Sequence, residues 1–374
     1  MKVTIATDSF KGSASSIEVA RAIERGIHRV NPDVICDKYP VADGGEGLID
    51  TLQKKGDEII TIPVHGPLFE TVNASYLKRG AMAIIEMAAA SGLPLVPEDK
   101  RNPLHTTTLG TGELVLHALE NGCTELIIGI GGSATNDGGI GLLTALGAKF
   151  YDKNKKELVP DGKALQQLDS VDYSQMTPLL AKAHIRVACD VDNPLCGENG
   201  CSAIYGPQKG ATPQIIAIMD KSLKNFATIS NKEDAAKMPG AGAAGGLGFA
   251  LCSFCGATLE SGITLVLDLI GIEESLKDSS LVITGEGKID GQSIRGKVPV
   301  GVATLASKYH LEVIAFAGDI GSDTEVLYDN GISAIVSTTN AAMPLSQAMG
   351  KSLELTEDAA FRTWHLIEMA KRIK

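Results

Sequence analysis

Short apolar runs and stretches with helically spaced apolar residues take turns along the chain, and the pattern recurs at both ends. VTIAT, closed by Asp8, predicts a buried strand, and the polar DSFKGSASS after it a loop. SIEVARAIERGI then sets Ile17, Ala20, Ile23 and Ile27 at helical spacing, with Ser15 or Ser16 as N-cap. VICDKYPV predicts a second strand, running into the turn ADGGEG and a helix that begins near Gly47; EIITIPV predicts a third, ending at HGP. Towards the C-terminus, Val282–Thr284 reads as a short strand leading into GEGKIDGQS. A helix near 300–309, the strand EVIAFAG, a helix near 324–330, the strand SAIVST and an amphipathic helix from about Thr356 follow. Such alternation predicts parallel pairing with right-handed crossovers.

Neither end holds enough strands for a large sheet alone, but together they do. The expected fold class is therefore α/β, with one discontinuous domain built from 1–66 plus 271–374 and a second α/β domain, 67–270, inserted between them. The insert carries the strand candidates AIIEMA, ELIIGIG and IRVACDV, and a polar stretch at 152–170 that reads as surface loop. At 374 residues and 39.1 kDa the chain exceeds the size at which one core stops growing, which agrees with two domains.

Composition narrows the function. Aromatics are 4% of residues and the net charge is −11, so neither a stacking platform nor a basic face for nucleic acid is expected. An anionic substrate must then be met by local cations rather than by the global field. No apolar stretch is long enough for a membrane span, and MKVTIATDSF turns polar too early for a secretion signal. The 7 cysteines are scattered and odd in number, which predicts a reducing cytoplasm; Cys252 and Cys255 lie in an apolar run and read as buried structural residues.

The candidate chemistry sits in Gly- and Asp-rich turns that follow strands, where open parallel sheets bind ligands. Asp8-Ser9-Phe-Lys11-Gly-Ser13 gathers a carboxylate, hydroxyls and an ammonium. Asp43-Gly-Gly-Glu46-Gly47 sets two acids at a helix start. Gly129–Gly139, GIGGSATNDGG, exposes successive backbone amides before an apolar helix and predicts an anion cradle, without being a dinucleotide or Walker motif. Asp190 and Asp192, taken as strand residues, share a face about 7 Å apart and suit Mg²⁺, or one metal ligand plus a base. Glu286, Asp290, Arg295 and Lys297 combine metal-ligand oxygens with anion donors. GAGAAGGLG, at 240–248, reads as either a helix start or a hinge. Glycines, carboxylates and a few cations are what phosphoryl transfer requires. A non-catalytic sensor of a sugar acid or nucleotide is the alternative. A dinucleotide-dependent dehydrogenase is disfavoured because the G-x-G-x-x-G lettering at 240–245 follows the charged segment SNKEDAAKMP and not a strand, and a serine hydrolase by the lack of G-x-S-x-G.

Seven motifs in order, DSFKGS (8–13), ADGGEG (42–47), GIGGSATNDGG (129–139), CDVDNPL (189–195), YGPQKGA (205–211), GAAGGLG (242–248) and TGEGKIDGQS (284–293), make nearly the whole chain resemble the bacterial glycerate kinases of the two-domain α/β type. Leu48 departs from the threonine expected after GGEG, and Tyr205 replaces a phenylalanine. The resemblance implies a Rossmann-like domain from both chain ends, an inserted α/β domain and an active site in the cleft between them. It also implies ATP- and Mg²⁺-dependent phosphorylation of D-glycerate, most similar to the members that give 2-phosphoglycerate. The sequence leaves 2- versus 3-phosphoglycerate open, and equally monomer versus homodimer. On this expectation, Lys11 and Arg295 hold the substrate carboxylate, with Ser9 and Glu46 beside them and Asp8 or Asp43 orienting the hydroxyls. Asp190 is the expected base. Asp192 is the expected metal ligand, with Glu286 and Asp290 as the competing pair. Gly131, Gly132, Ser133, Thr135, Asn136 and Asp137 cradle the ATP phosphates, helped by Lys297.

Overall fold

The computed structural model describes residues 1–41, 47–294 and 296–373. Its strands are β1 (Lys2–Thr7), β2 (Ile35–Pro40), β3 (Glu58–His65), β4 (Thr71–Arg79), β5 (Met82–Glu86), β6 (Glu125–Gly129), β7 (Lys149–Tyr151), β8 (Ser170–Asp172), β9 (His184–Ala188), β10 (Thr258–Glu260), β11 (Leu281–Ile289), β12 (Val313–Ile320) and β13 (Ala334–Ser337). The chain divides into two compact units, Met1–Gly44 with Ile263–Lys374, and Gly45–Gly262.

The first unit holds an all-parallel sheet in the order β13–β12–β11–β1–β2. Its inner strands are nearly continuous apolar runs because helices cover both faces. Thr4, buried in β1, is satisfied by the hydroxyls of Ser275 at 2.8 Å and Ser279 at 2.6 Å. The helix Ser16–His28 starts at Ser15, whose backbone N–H and hydroxyl both donate to Glu18 Oε2, at 2.9 and 2.6 Å. It buries Val19, Ala20, Ile23 and Ile27 in one core with Val3, Ile5 and Trp364. Each valine or isoleucine buried there is worth roughly 1.5–3 kcal/mol.

The second unit holds a mixed sheet, β10–β9–β6–β5–β4–β3, parallel from β10 to β5 and antiparallel across β5, β4 and β3. β7 and β8 form a small separate pair, and the polar segment between them is largely irregular.

Several boundaries differ from the sequence expectation. EIITIPV is β3 and pairs with β4 from Glu58↔Lys78 to His65↔Thr71, so it belongs to the second unit. The unit limits accordingly fall at 44/45 and 262/263, where the sequence suggested 66/67 and 270/271. The strand read as Val282–Thr284 runs on to Ile289, because Glu286, Lys288 and Ile289 keep pairing with β12 through the glycines. Residues 324–330 are a 3₁₀ segment, and the last helix begins at Ser352 rather than Thr356. No disulfide joins the cysteines; burial raises the Cys252 and Cys255 thiols to about 11 and 12, which keeps them protonated.

Candidate functional site

In the second unit, Glu86, Gly129 and Ala188 are register partners, so β5, β6 and β9 end level with one another. The segments leaving β6 and β9 line a cavity of about 660 Å³ with Ile130, Gly131, Gly132, Ser133, Asp190 and Val191 in its wall. Two backbone bonds pin the turn: Leu93 N–H donates to the Gly132 carbonyl at 2.8 Å, and Ala134 N–H to the Ser91 carbonyl at 2.9 Å.

Only the front of the expected cradle reaches this cavity. Thr135, Asn136 and Asp137 are fully buried behind it. Asn136 Nδ2 donates to Ser202 Oγ at 2.8 Å. The Asp137 carboxylate accepts from Thr108 N–H and hydroxyl, Gly139 N–H and Gly141 N–H, at 2.8, 2.7, 3.0 and 3.2 Å. Burial pushes its pKa up, against those four donors. Its lone pairs are thus engaged in holding the turn, and Asp137, expected among the cradle residues, does not line the cavity. The glycine run at 240–248 backs the same turn. Gly245, at φ +68°, would carry a Cβ only 2.1 Å from the Thr135 carbonyl oxygen, so a side chain there would displace the cradle. Its carbonyl accepts from Gly138 N–H at 3.0 Å.

Asp190 and Asp192 lie beyond β9, in irregular chain, so strand alternation does not bring them onto one face. Asp190 lines the cavity, and its Oδ1 accepts from Gly262 N–H at 2.8 Å. Asp192 is exposed and lies outside the cavity lining.

Lys209 and Arg101, two cations that the sequence did not single out, also line this cavity. Lys209 is 2% exposed, and its Nζ donates to Ser133 Oγ at 2.7 Å and the Thr135 carbonyl at 2.6 Å. Burial lowers its pKa to about 8, partly offset by Cys201 and Asp137. Lys209 sits in the motif YGPQKGA, but a lone lysine among small residues gives no local sign of burial. Arg101 follows the charged run EDK, which reads as a solvated surface.

In the first unit, β1 and β13 end at nearly the same level, Thr7 opposite Gly285 and Ser337 opposite Ala317, which pairs with Glu286, while β11 and β12 run three to four residues further. A second cavity of about 590 Å³ lies there, with Ser9, Lys11, Glu286, Lys288, Lys297 and Thr338 among its lining residues. Asp8, next to Ser9 in the chain, is buried and accepts from Ser9 N–H at 2.6 Å. Lys297 pairs with Glu286 Oε1 at 2.9 Å. Glu286 Oε2 is buried with no hydrogen-bond partner among the described residues. Burial raises the Glu286 pKa, Lys297 opposes the rise, and Asp8 adds to it.

Glu286 and Asp290 do not share a site. The extended chain separates them by about 13 Å, and Asp290 lines a different pocket with Gly321, Ser322 and Asp323. Its Oδ1 accepts from Gln292 N–H at 3.0 Å as a turn cap. Asp43, Glu46 and Arg295 lie outside the described residues. Glu24, His28 and Cys36 bring three donor atoms within 4.8 Å of one another. Glu24 is bound to Lys38, however, and His28 Nε2 donates to the Val34 carbonyl, which leaves that trio engaged. Among the described residues, no helix is long and apolar enough to cross a membrane.

Comparison with known proteins agrees with this architecture. The model of the Glycerate kinase family matches residues 3–368. A glycerate 2-kinase of Escherichia coli K12 is 51% identical over 355 residues, 93% of each chain, and a glycerate kinase of Bacillus subtilis 168 is 48% identical over 99% of each. A crystal structure assigned as glycerate kinase 2 from Salmonella typhimurium LT2 is similar with a TM-score of 0.86 and 44% identity, covering 100% of both chains. With its fold, its ordered motifs and these relatives in agreement, the chain belongs to the glycerate kinase family.

Proposed function

We propose that the chain transfers the γ-phosphoryl group of ATP to D-glycerate, giving 2-phospho-D-glycerate and ADP. One observation carries this reading: the turn Gly131–Ser133 and the Asp190 carboxylate face one cavity. Anion donors and a proton acceptor in one place are the two things phosphoryl transfer to a hydroxyl asks of a protein. Glycerate as acceptor follows from the relatives named glycerate kinase.

In this reading the turn receives the phosphates and Asp190 takes the proton of the attacking hydroxyl. The backbone bond from Gly262 fixes the Asp190 carboxylate, so it needs no reorganisation at the moment of transfer. In the first unit, Lys11 and Ser9 line the other cavity and offer a point charge and a hydroxyl to an anion. Lys297 orients Glu286 through Oε1 and leaves Oε2 for a cation. A buried carboxylate oxygen without a partner, close enough to Asp8 to feel its charge, fits Mg²⁺, whose ligands are hard oxygens. Glu286, with Asp8 near enough to add its charge, would hold that ion, and such an ion would supply charge neutralisation to a phosphate. Asp192 and Asp290 have no part in this arrangement.

³¹P NMR of a reaction with D-glycerate, ATP and Mg²⁺ tests the reading. The expected result is a phosphomonoester signal of 2-phosphoglycerate. A 3-phosphoglycerate signal would keep the kinase and change the hydroxyl attacked. No new ester from folded protein would overturn the proposal.

A further inference from the structure

Lys209 and Arg101 have no part in the mechanism above, yet both stand in the wall of the Gly131–Ser133 cavity. We propose that they form a two-cation clamp for the phosphate chain of a nucleoside di- or triphosphate, with the Ser133 hydroxyl as a further donor. The nucleotide as ligand class rests on the phosphoryl-transfer reading.

A buried ammonium is costly unless something uses its charge. Lys209 has no ion-pair partner among the described residues; its two acceptors, Ser133 Oγ and the Thr135 carbonyl, are both neutral. An ammonium has three N–H groups, so one remains beyond these two bonds. Ser133 Oγ accepts from Lys209, which leaves its own proton to be donated elsewhere. Arg101 adds an orphan of its own, because its Nε is buried without a partner among the described residues. A guanidinium N–H in that condition marks a missing acceptor.

The backbone couples the two cations. Gly210, immediately after Lys209, adopts φ +89°, and a Cβ there would lie 2.1 Å from the Arg101 carbonyl oxygen. The segments carrying Lys209 and Arg101 are therefore in direct contact. Lys209 is in turn tied to the cradle through Ser133 and Thr135. Two cations and a run of backbone amides match a multiply charged phosphate chain better than a single carboxylate. At about 660 Å³ the cavity also exceeds what a three-carbon acid fills and suits a nucleotide. In a chain of net charge −11, such a ligand must be captured by local cations of this kind.

Calorimetric titration of sodium tripolyphosphate into wild type, Lys209→Met and Arg101→Gln reads the clamp without turnover. Each variant is expected to bind at least about tenfold more weakly. In the assay each raises the KM for ATP by a similar factor and leaves the KM for glycerate within about twofold. Arg101 is half-buried, so its variant decides the matter if Lys209→Met does not fold, which circular dichroism shows directly. The clamp is overturned if wild type does not bind tripolyphosphate, if the folded variants bind it within twofold of wild type, or if the KM for glycerate moves in place of that for ATP. If tripolyphosphate binding depends on these residues while the NMR reaction yields no ester, the clamp stands and the kinase reading falls.

Discussion

Asp137 and Thr108 meet deep in the second unit, where one carboxylate oxygen accepts from both the backbone N–H and the hydroxyl of Thr108, at 2.8 and 2.7 Å. Gly141 N–H donates to the same oxygen and Gly139 N–H to the other, so the carboxylate fastens the turn after β6 to the start of the next helix. Asp137→Asn puts an amide donor among groups that all donate. It is expected to cost about 3 kcal/mol and to lower Tm by roughly 6–12 °C in a unit of this size. Scanning calorimetry checks it. An unchanged Tm with loss of nucleotide binding would instead make Asp137 a ligand contact.

Asp190→Asn separates chemistry from structure. The asparagine carbonyl can still accept from Gly262 N–H, so folding should be preserved. A positioned base contributes roughly 10²–10⁴-fold. The expected outcome is therefore a kcat at least about 100-fold lower with Tm nearly unchanged. Retention of more than a tenth of wild-type turnover would remove Asp190 from the role of base.

Metal titration ranks the three acids suggested as ligands. Glu286→Gln is expected to raise the Mg²⁺ concentration for half-maximal activity by at least about tenfold, because the partnerless Oε2 becomes a poor ligand. Asp290→Asn and Asp192→Asn should shift it less than twofold, since one caps a turn and the other is exposed away from the cavity. A large shift in either would move the metal site.

The sequence made the parallel-sheet architecture readable, because β1, β6 and β9 are apolar runs ending in Gly- or Asp-rich turns. Asp190 and Gly131–Ser133 stand out in the sequence for that reason. What stayed hidden depended on distant partners. Asp137 in a glycine-rich turn can point either way, and only Thr108, 29 residues earlier, turns it inward. Lys209 becomes a buried cation only because Ser133 and Thr135 fold onto it. Glu286 and Asp290 looked like a pair because glycines usually end a strand, whereas here β11 runs straight through them.

The pH dependence of stability offers a test of the buried lysine itself. Lys209 faces Asp137 and Cys201 within the fold and lines the cavity with Arg101 and Asp190. Its folded pKa is about 8 against an ordinary value of 10.5. Below about pH 8 both folded and unfolded states carry the proton, and the full penalty of the buried charge is present. Between about 8 and 10.5 the unfolded chain holds more protons than the folded one, so this group adds stability as pH rises, up to about 3 kcal/mol. The buried thiols act oppositely. Cys201 and Cys255, raised to about 11 and 12, stay protonated in the fold while unfolded thiols ionise, and so they lower stability in the same range. The lysine contribution is therefore read as a difference. Urea denaturation of wild type and Lys209→Met at pH 7.5 and 9.5 should show the wild type gaining relative to the variant by about 2 kcal/mol. Equal pH slopes would mean that Lys209 keeps an ordinary pKa and that its charge is satisfied within the fold.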